Sequence, residues 1–144
     1  MTKLPRIVID TNVVVAGLRS RRGWSFDLLS RVGDGDFDHV VTVPLLMEYE
    51  DVLLREGMVP LTSSAVNDVL DYLCASGVRQ PIHFLWRPRL PDVRDDLVLE
   101  AAVNGGCRWI VTHNLRHFGP AQSLGVRAAS PRDFVQTLTQ ENPR

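Results

Sequence analysis

The sequence predicts an α/β protein, a three-layer α/β/α sandwich around a central, mainly parallel sheet. Strand-like and helix-like segments alternate along the chain, which is typical of parallel strands joined by helices. The runs at 6–10 and 107–112 contain consecutive apolar residues, as expected of strands buried on both faces. The length of 144 residues suits one domain, predicted to span 1–144.

Turn and cap residues divide the first half of the chain. Gly33 is placed to end a helix whose apolar residues recur at helical spacing. Pro44 is favoured at the first position of the helix that follows the second strand. The predicted elements are, in order, strand 6–10, helix 24–33, strand 37–43, helix 44–56 and helix 62–75.

The second half continues the alternation. The longest predicted helix of this half begins at an aspartate and ends at two consecutive glycines. In order, the chain is predicted to contain an irregular segment with a short strand at 77–91, helix 92–106, strand 107–112, a helical turn at 114–118, edge strand 125–130 and helix 130–138. In such doubly wound sheets, functional groups collect beyond the carboxyl ends of the strands.

The composition excludes several classes of protein. Hydrophobic residues make up 44% and charged residues 23%, as in globular rather than disordered proteins. There is neither a secretory signal nor an apolar run near the ~20 residues that span a bilayer, so we expect a cytoplasmic protein without a membrane partner. The net charge of −1 is not that of a globally basic nucleic-acid binder, but local charge can still serve a nucleic-acid substrate.

Asp10 is the residue that most needs an explanation. It ends an apolar strand, where a carboxylate is costly unless it is paired, hydrogen-bonded or bound to a metal. A structural alternative is that Asp10 caps a turn through Thr11 and Asn12.

Other carboxylates are candidates that periodicity cannot choose between. Glu48 and Glu50 both fall about 100° from the centre of the apolar stripe of helix 44–56. In helix 92–106, Asp92 is placed as the N-cap, Asp95 stands three residues on, and Asp96 benefits from the helix dipole. Capping alone would explain all three of these aspartates.

Four segments of the chain together resemble PIN-domain proteins, especially the branch identified as toxins of bacterial toxin–antitoxin pairs. They are "IDTNVVVAGL" at 9–18, "VPLLMEYEDVLLR" at 43–55, "DVRDDLVLEAAVNGGCRWIVTHNLRHF" at 92–118 and "ASPRDFVQTL" at 129–138. They stand in the family's order and cover nearly the whole chain.

The resemblance implies a set of site residues. Asp10, Glu48 and Asp96 would be the metal-binding catalytic acids, and Asn114 would take a fourth metal-binding position that is often aspartate. His117 stands where a further aspartate often follows, so the binding of a second metal is in question. The supporting residues would be Thr11, Asn12, Thr112 and, as an outer acid, Asp92.

The implied activity is a ribonuclease that uses Mg²⁺ or Mn²⁺, cations that suit carboxylate oxygens and phosphates. Arg19 and Arg21, with Arg22, could contact RNA phosphates, as could the segment containing Trp86, Arg87 and Arg89. The resemblance also implies a small antitoxin partner and a homodimer. The alternative is a catalytically weak domain of the same fold that binds RNA or a protein partner.

Overall fold

The computed structural model describes residues 4–83 and 90–141. The strands are β1 (Arg6–Ile9), β2 (Asp38–Val41), β3 (Val78–Arg79), β4 (Trp109–Val111) and β5 (Arg127–Ala129). They form one sheet in the order β3-β2-β1-β4-β5, and all four neighbouring pairs are parallel. The predicted parallel sheet is confirmed, with β5 at its edge.

Helices cover both faces of this sheet. They are α1 (Thr11–Arg19), α2 (Trp24–Ser30), α3 (Val43–Leu53), α4 (Ser63–Ser76), α5 (Val93–Asn104) and α6 (Pro131–Glu141), with a 3₁₀ helix at Leu115–Leu124. Successive residues Ile7 and Val8 of the central strand point to opposite faces, and both are fully buried. The three-layer α/β/α architecture is therefore confirmed.

The sequence prediction missed α1. It placed the first helix at 24–33, whereas the chain turns into a helix directly after Asp10. Val13 and Val14 of this helix are buried, and Gly17 lets it approach α2 closely: a Cβ there would lie 2.4 Å from Leu29 Cδ1. Tertiary packing thus outweighs the β preference of the valines.

Side-chain caps begin two of the helices, and the one predicted at Asp92 is confirmed. Thr42 precedes α3, and its Oγ1 accepts a hydrogen bond from the Leu45 amide at 3.2 Å. Asp92 caps α5 by accepting from the Arg94 amide at 2.9 Å. Gly106, just beyond α5, has a φ of +64°, a conformation that suits glycine at a helix end.

Two segments of the second half differ from the prediction. The helical turn expected at 114–118 is a ten-residue 3₁₀ helix at Leu115–Leu124, and α6 runs to Glu141 rather than 138. The short strand expected in 77–91 is β3, and the arginines and tryptophan at 86–89 lie outside the described residues. In the described ranges, no helix is long and apolar enough to cross a membrane.

Candidate metal centre

A cavity of about 640 Å³ opens at the carboxyl ends of β1 and β4. Residues of α1, α3, α5 and the segment after β4 form its wall. Four of the lining side chains are carboxylates: Asp10, Glu48, Asp92 and Asp95. This is the edge of a parallel sheet at which functional groups are expected to collect.

Asp10 lies at the base of this cavity and is 7% exposed. It occupies the N-cap position of α1, but its side chain makes no capping hydrogen bond. Instead, Oδ2 accepts a hydrogen bond of 2.7 Å from Thr112 Oγ1, at the end of β4. The carboxylate is thus held by Thr112 at the end of the adjacent strand as well as by the backbone of Thr11, so capping of the turn explains only part of its surroundings.

The electrostatic surroundings of Asp10 disfavour its ionised form. Its pKa is about 6 instead of 3.8: burial raises it most, the nearby Asp95 also raises it, and the hydrogen bond from Thr112 opposes both effects. Burial likewise raises the pKa of Asp95, although His117 lowers it. Two carboxylates that both resist ionisation in one open cavity are typical of functional sites.

The polar residues predicted to support Asp10 surround it. Thr112 also accepts a hydrogen bond from the Asn114 amide at 3.0 Å, which fixes the start of the segment after β4. Asn12 accepts one from the His113 amide at 3.3 Å. Thr11, Asn12 and Asn114 all line the cavity, whereas Thr112 is fully buried behind it.

The structure shows which of the two glutamates, Glu48 or Glu50, lines the cavity. Glu48 is half-buried and contributes to the cavity wall, whereas Glu50 is exposed and lies outside it. The two residues are about 200° apart around a helix, so only one of them can face the same cavity.

The structure places Asp95 in the wall of the cavity, whereas its neighbour Asp96, the residue expected there, does not line it. Asp96 is fully buried, and its Oδ1 accepts a hydrogen bond of 3.0 Å from the Leu90 amide. It thereby holds the segment that leads into α5. Asp95 Oδ2 lies 3.0 Å from Nδ1 of His117, and both side chains line the cavity.

Basic side chains also reach the cavity. Arg19, at the end of α1, lines it as predicted, but Arg21 does not. Arg55 and Arg94 line it as well, and sequence reasoning had not singled them out. The signal that could have found Arg94 is its position between two candidate acids, Asp92 and Asp95.

The oxygen ligands of the cavity suit a divalent cation that keeps several water molecules better than one coordinated by protein atoms alone. In the described part of the chain, no three acidic, histidine or cysteine side chains converge closely enough to hold a metal as they stand. Mg²⁺, however, usually binds one or two carboxylates and retains several waters. Asp10 and Asp95 can supply such oxygens, and the buried Thr11 Oγ1 beside them has no hydrogen-bond partner among the described residues.

Comparisons with known proteins agree with this fold. The family model described as the PIN domain matches residues 6–116. One solved structure, VapBC2 from Rickettsia felis bound to a DNA fragment from their promoter, contains a chain that aligns with a TM-score of 0.61. That alignment has 12% identity and covers 87% of this chain and 98% of the other. No curated protein matches the sequence.

Proposed function

The chain is a member of the PIN domain family, and we propose that it is a divalent-metal-dependent endoribonuclease, the toxin of a toxin–antitoxin pair. The observation that carries the proposal is the burial of Asp10 beside Asp95 in an open cavity. Ionising two neighbouring, buried carboxylates costs stability, and a bound cation would reduce that cost. The shared fold with a chain of the VapBC2 structure favours the toxin assignment and a partner protein.

We assign the metal-binding roles to Asp10, Glu48 and Asp95. Asp95 takes the role that the resemblance gave to Asp96, because it is the one of the two that faces the cavity. Asn114 offers an amide oxygen at the fourth position. A bound Mg²⁺ or Mn²⁺ would supply positive charge for activating water and for stabilising the phosphate during hydrolysis.

The remaining residues prepare the site for this chemistry. Thr112 holds Asp10 in one orientation and favours its ionised form. His117 does the same for Asp95 and adds a polar group to the cavity wall. Arg19 and Arg94 supply cationic side chains in that wall, as a substrate with a phosphate backbone requires.

A second candidate function is a domain that binds RNA but cleaves it poorly. It is favoured by Asn114 and His117, which stand at positions where the family often has acids, so the cavity carries less negative charge. The two candidates differ in their response to Asp10→Asn. The enzyme loses cleavage while still binding RNA, whereas a binding domain has no metal-dependent cleavage to lose.

The test is cleavage and binding of one labelled single-stranded RNA by the full chain and by Asp10→Asn. We expect cleavage in Mg²⁺ or Mn²⁺, none in chelator and none by the variant, with RNA affinity retained. Besides the ribonuclease activity, we propose that the protein is cytoplasmic and forms a homodimer. RNA binding without cleavage in any metal would favour the second candidate.

A further inference from the structure

A groove runs between the 3₁₀ helix and the amino ends of β4 and β5. One cavity of about 550 Å³ and a second of about 560 Å³ adjoin there. Both are lined by Trp109, Gln122 and Arg127, so they form one continuous surface, which we call the β5 groove. Among the described residues, none lines both this groove and the metal-centre cavity. The β5 groove is therefore a separate candidate site.

Two arginines make the β5 groove cationic. Arg108 and Arg127 both line its second cavity, and both residues are exposed. The backbone places them side by side, because the Arg127 amide donates to the Arg108 carbonyl at 2.9 Å.

The charges of these two arginines are not compensated within the groove. In the described part of the chain, neither guanidinium lies within ion-pair distance of a carboxylate, and no acidic residue lines the groove. The whole chain has a net charge of −1, so this is a local excess of positive charge. Such an excess attracts an anionic ligand.

An aromatic and apolar wall adjoins the arginines. Trp109 pairs with Arg127 across the two strands, which places their side chains on the same face of the sheet. The indole packs against the buried Phe134, with ring centroids 6.4 Å apart, and Trp109 remains partly exposed. Phe118 and Val126, both buried, extend the wall. A ligand in the groove would therefore meet a fixed aromatic ring beside two guanidinium groups.

These groups together suit a nucleotide. A guanidinium binds phosphate through paired N–H donors, and an indole offers a face on which a base stacks. The amide of Gln122 can both donate to and accept from the edge of a base. Each cavity also has a volume within the range of small-ligand sites, about 300–1,000 Å³.

Two other occupants of the groove are disfavoured by its charge. A divalent cation needs oxygen ligands, usually carboxylates, and would be repelled by the two arginines. A second copy of the chain that placed the same groove against itself would bring four arginines together. Like charges brought together in this way oppose association.

We propose that the β5 groove is a nucleotide-binding site, in which Arg108 and Arg127 bind a phosphate and the base packs against Trp109. A free mononucleotide and one nucleotide within a single-stranded RNA offer the same chemistry. The site goes beyond the proposed ribonuclease activity and uses none of the residues assigned to it.

The experiment uses the full chain with Trp24→Phe and Trp86→Phe, so that Trp109 is the remaining tryptophan. The probes are adenosine monophosphate and an oligoadenylate of about eight nucleotides, a usual length for single-strand sites. Each is titrated in chelator, and binding is followed by the quenching of indole fluorescence.

The same titrations are made with Arg108→Gln/Arg127→Gln introduced into this background. Arg79→Gln/Arg132→Gln is the matched control, because it removes the same charge from two exposed arginines that line neither the groove nor the metal-centre cavity.

We expect the oligoadenylate to quench Trp109. Arg108→Gln/Arg127→Gln should weaken its binding by about tenfold and reduce the slope of log affinity against log salt by about 1, because phosphate contacts are lost. The control should change neither quantity. Quenching by adenosine monophosphate as well would show that the site accepts a free nucleotide, whereas quenching by the oligoadenylate alone would assign it to an RNA chain.

Absence of quenching by both probes would overturn the proposal, as would an equal loss of affinity in the control. A polyglutamate peptide that displaces the oligoadenylate at equal concentration would also overturn it, because the groove would then recognise acidic peptides. Since chelator prevents metal-dependent cleavage, these results do not depend on the proposed ribonuclease activity.

Discussion

Thr112 and Asp10 are joined by a buried hydrogen bond of 2.7 Å between residues 102 apart in the sequence. Asp10 follows β1 and Thr112 follows β4, and these strands are neighbours in the sheet. The Asp10 amide also donates to the Val111 carbonyl at 2.9 Å, so the backbone fixes the register of the two strand ends. The carboxylate at the base of the cavity is therefore held from the adjacent strand.

Removal of the Thr112 hydroxyl should impair the site without unfolding the protein. In Thr112→Val the hydrogen bond that lowers the pKa of Asp10 is lost, so the pKa should rise above its value of about 6. We expect cleavage near neutral pH to fall about tenfold or more, since a hydrogen bond to a charged group is worth ~1.5–3 kcal/mol. The pH–rate profile of Thr112→Val, beside that of Thr112→Ser, measures the effect. An unshifted profile in Thr112→Val would contradict it.

Asp95 and Asp96 should separate activity from stability. Asp95→Ala removes a carboxylate from the cavity wall, so metal binding and cleavage should be lost while the melting temperature is kept or raised. Asp96→Ala leaves the Leu90 amide without its acceptor, which should cost ~1–3 kcal/mol of unfolding free energy. Calorimetric Mn²⁺ titration and thermal unfolding of both variants are the measurements. If Asp96→Ala alone abolished Mn²⁺ binding while remaining folded, the assignment of Asp95 would fail.

Glu48 and Glu50 form a matched pair on α3. Glu48→Gln should reduce cleavage by at least about a hundredfold, because it removes charge from the cavity that concentrates the cation. Glu50→Gln changes an exposed residue outside that cavity and should leave cleavage at the wild-type rate. Cleavage rates at saturating Mg²⁺ check both. A similar loss in the two variants would show that the effect is not specific to the cavity.

Asp10 should make the metal-free protein less stable as the pH rises. Its pKa of about 6 in the folded chain exceeds the ordinary 3.8, so the folded state binds this proton more tightly. Asp10 therefore stabilises the folded state fully below about pH 4, and this stabilisation is lost by about pH 6–7. The full difference in pKa corresponds to roughly 3 kcal/mol of unfolding free energy.

His39 has the opposite dependence in the same pH range, because burial lowers its pKa to about 4. Because His39 is present in both proteins, its contribution cancels when the unfolding free energy of Asp10→Asn is compared with that of wild type. In chelator, Asp10→Asn should gain stability relative to wild type between pH 4 and 7, as measured by urea unfolding. A difference that does not change with pH would contradict the elevated pKa.

The layout of the sheet could be predicted because its strands are short apolar runs separated by caps and turns. Pro44, Asp92 and the glycines after α5 are local signals, and the structure uses them as expected. Helix α1 could not be predicted in this way, because "NVVVAGL" has the β-branched residues of a strand. In the fold, this segment buries Val13 and Val14 and packs against α2 and α3, and its own residues carry no signal of that packing.

The candidate site was predicted only in part for a related reason. Asp10 stands out because an apolar strand ends in a carboxylate, and Thr112 follows from its place after a neighbouring strand. Asp95 and Asp96 are adjacent, about 100° apart on α5, and both have local reasons to begin a helix. Which of them faces the cavity depends on how α5 is rotated on the sheet, and this rotation has no local signal.

The most direct test of the metal centre is the rate of single-stranded RNA cleavage as a function of Mn²⁺ concentration, for wild type and Asp95→Asn. If Asp10, Glu48 and Asp95 hold the catalytic cation, the wild-type rate rises with Mn²⁺ to a plateau and chelator abolishes it. Asp95→Asn then binds the RNA but does not cleave it at any Mn²⁺ concentration used. Wild-type cleavage that persists in chelator, or cleavage by Asp95→Asn at the wild-type rate, would contradict this assignment.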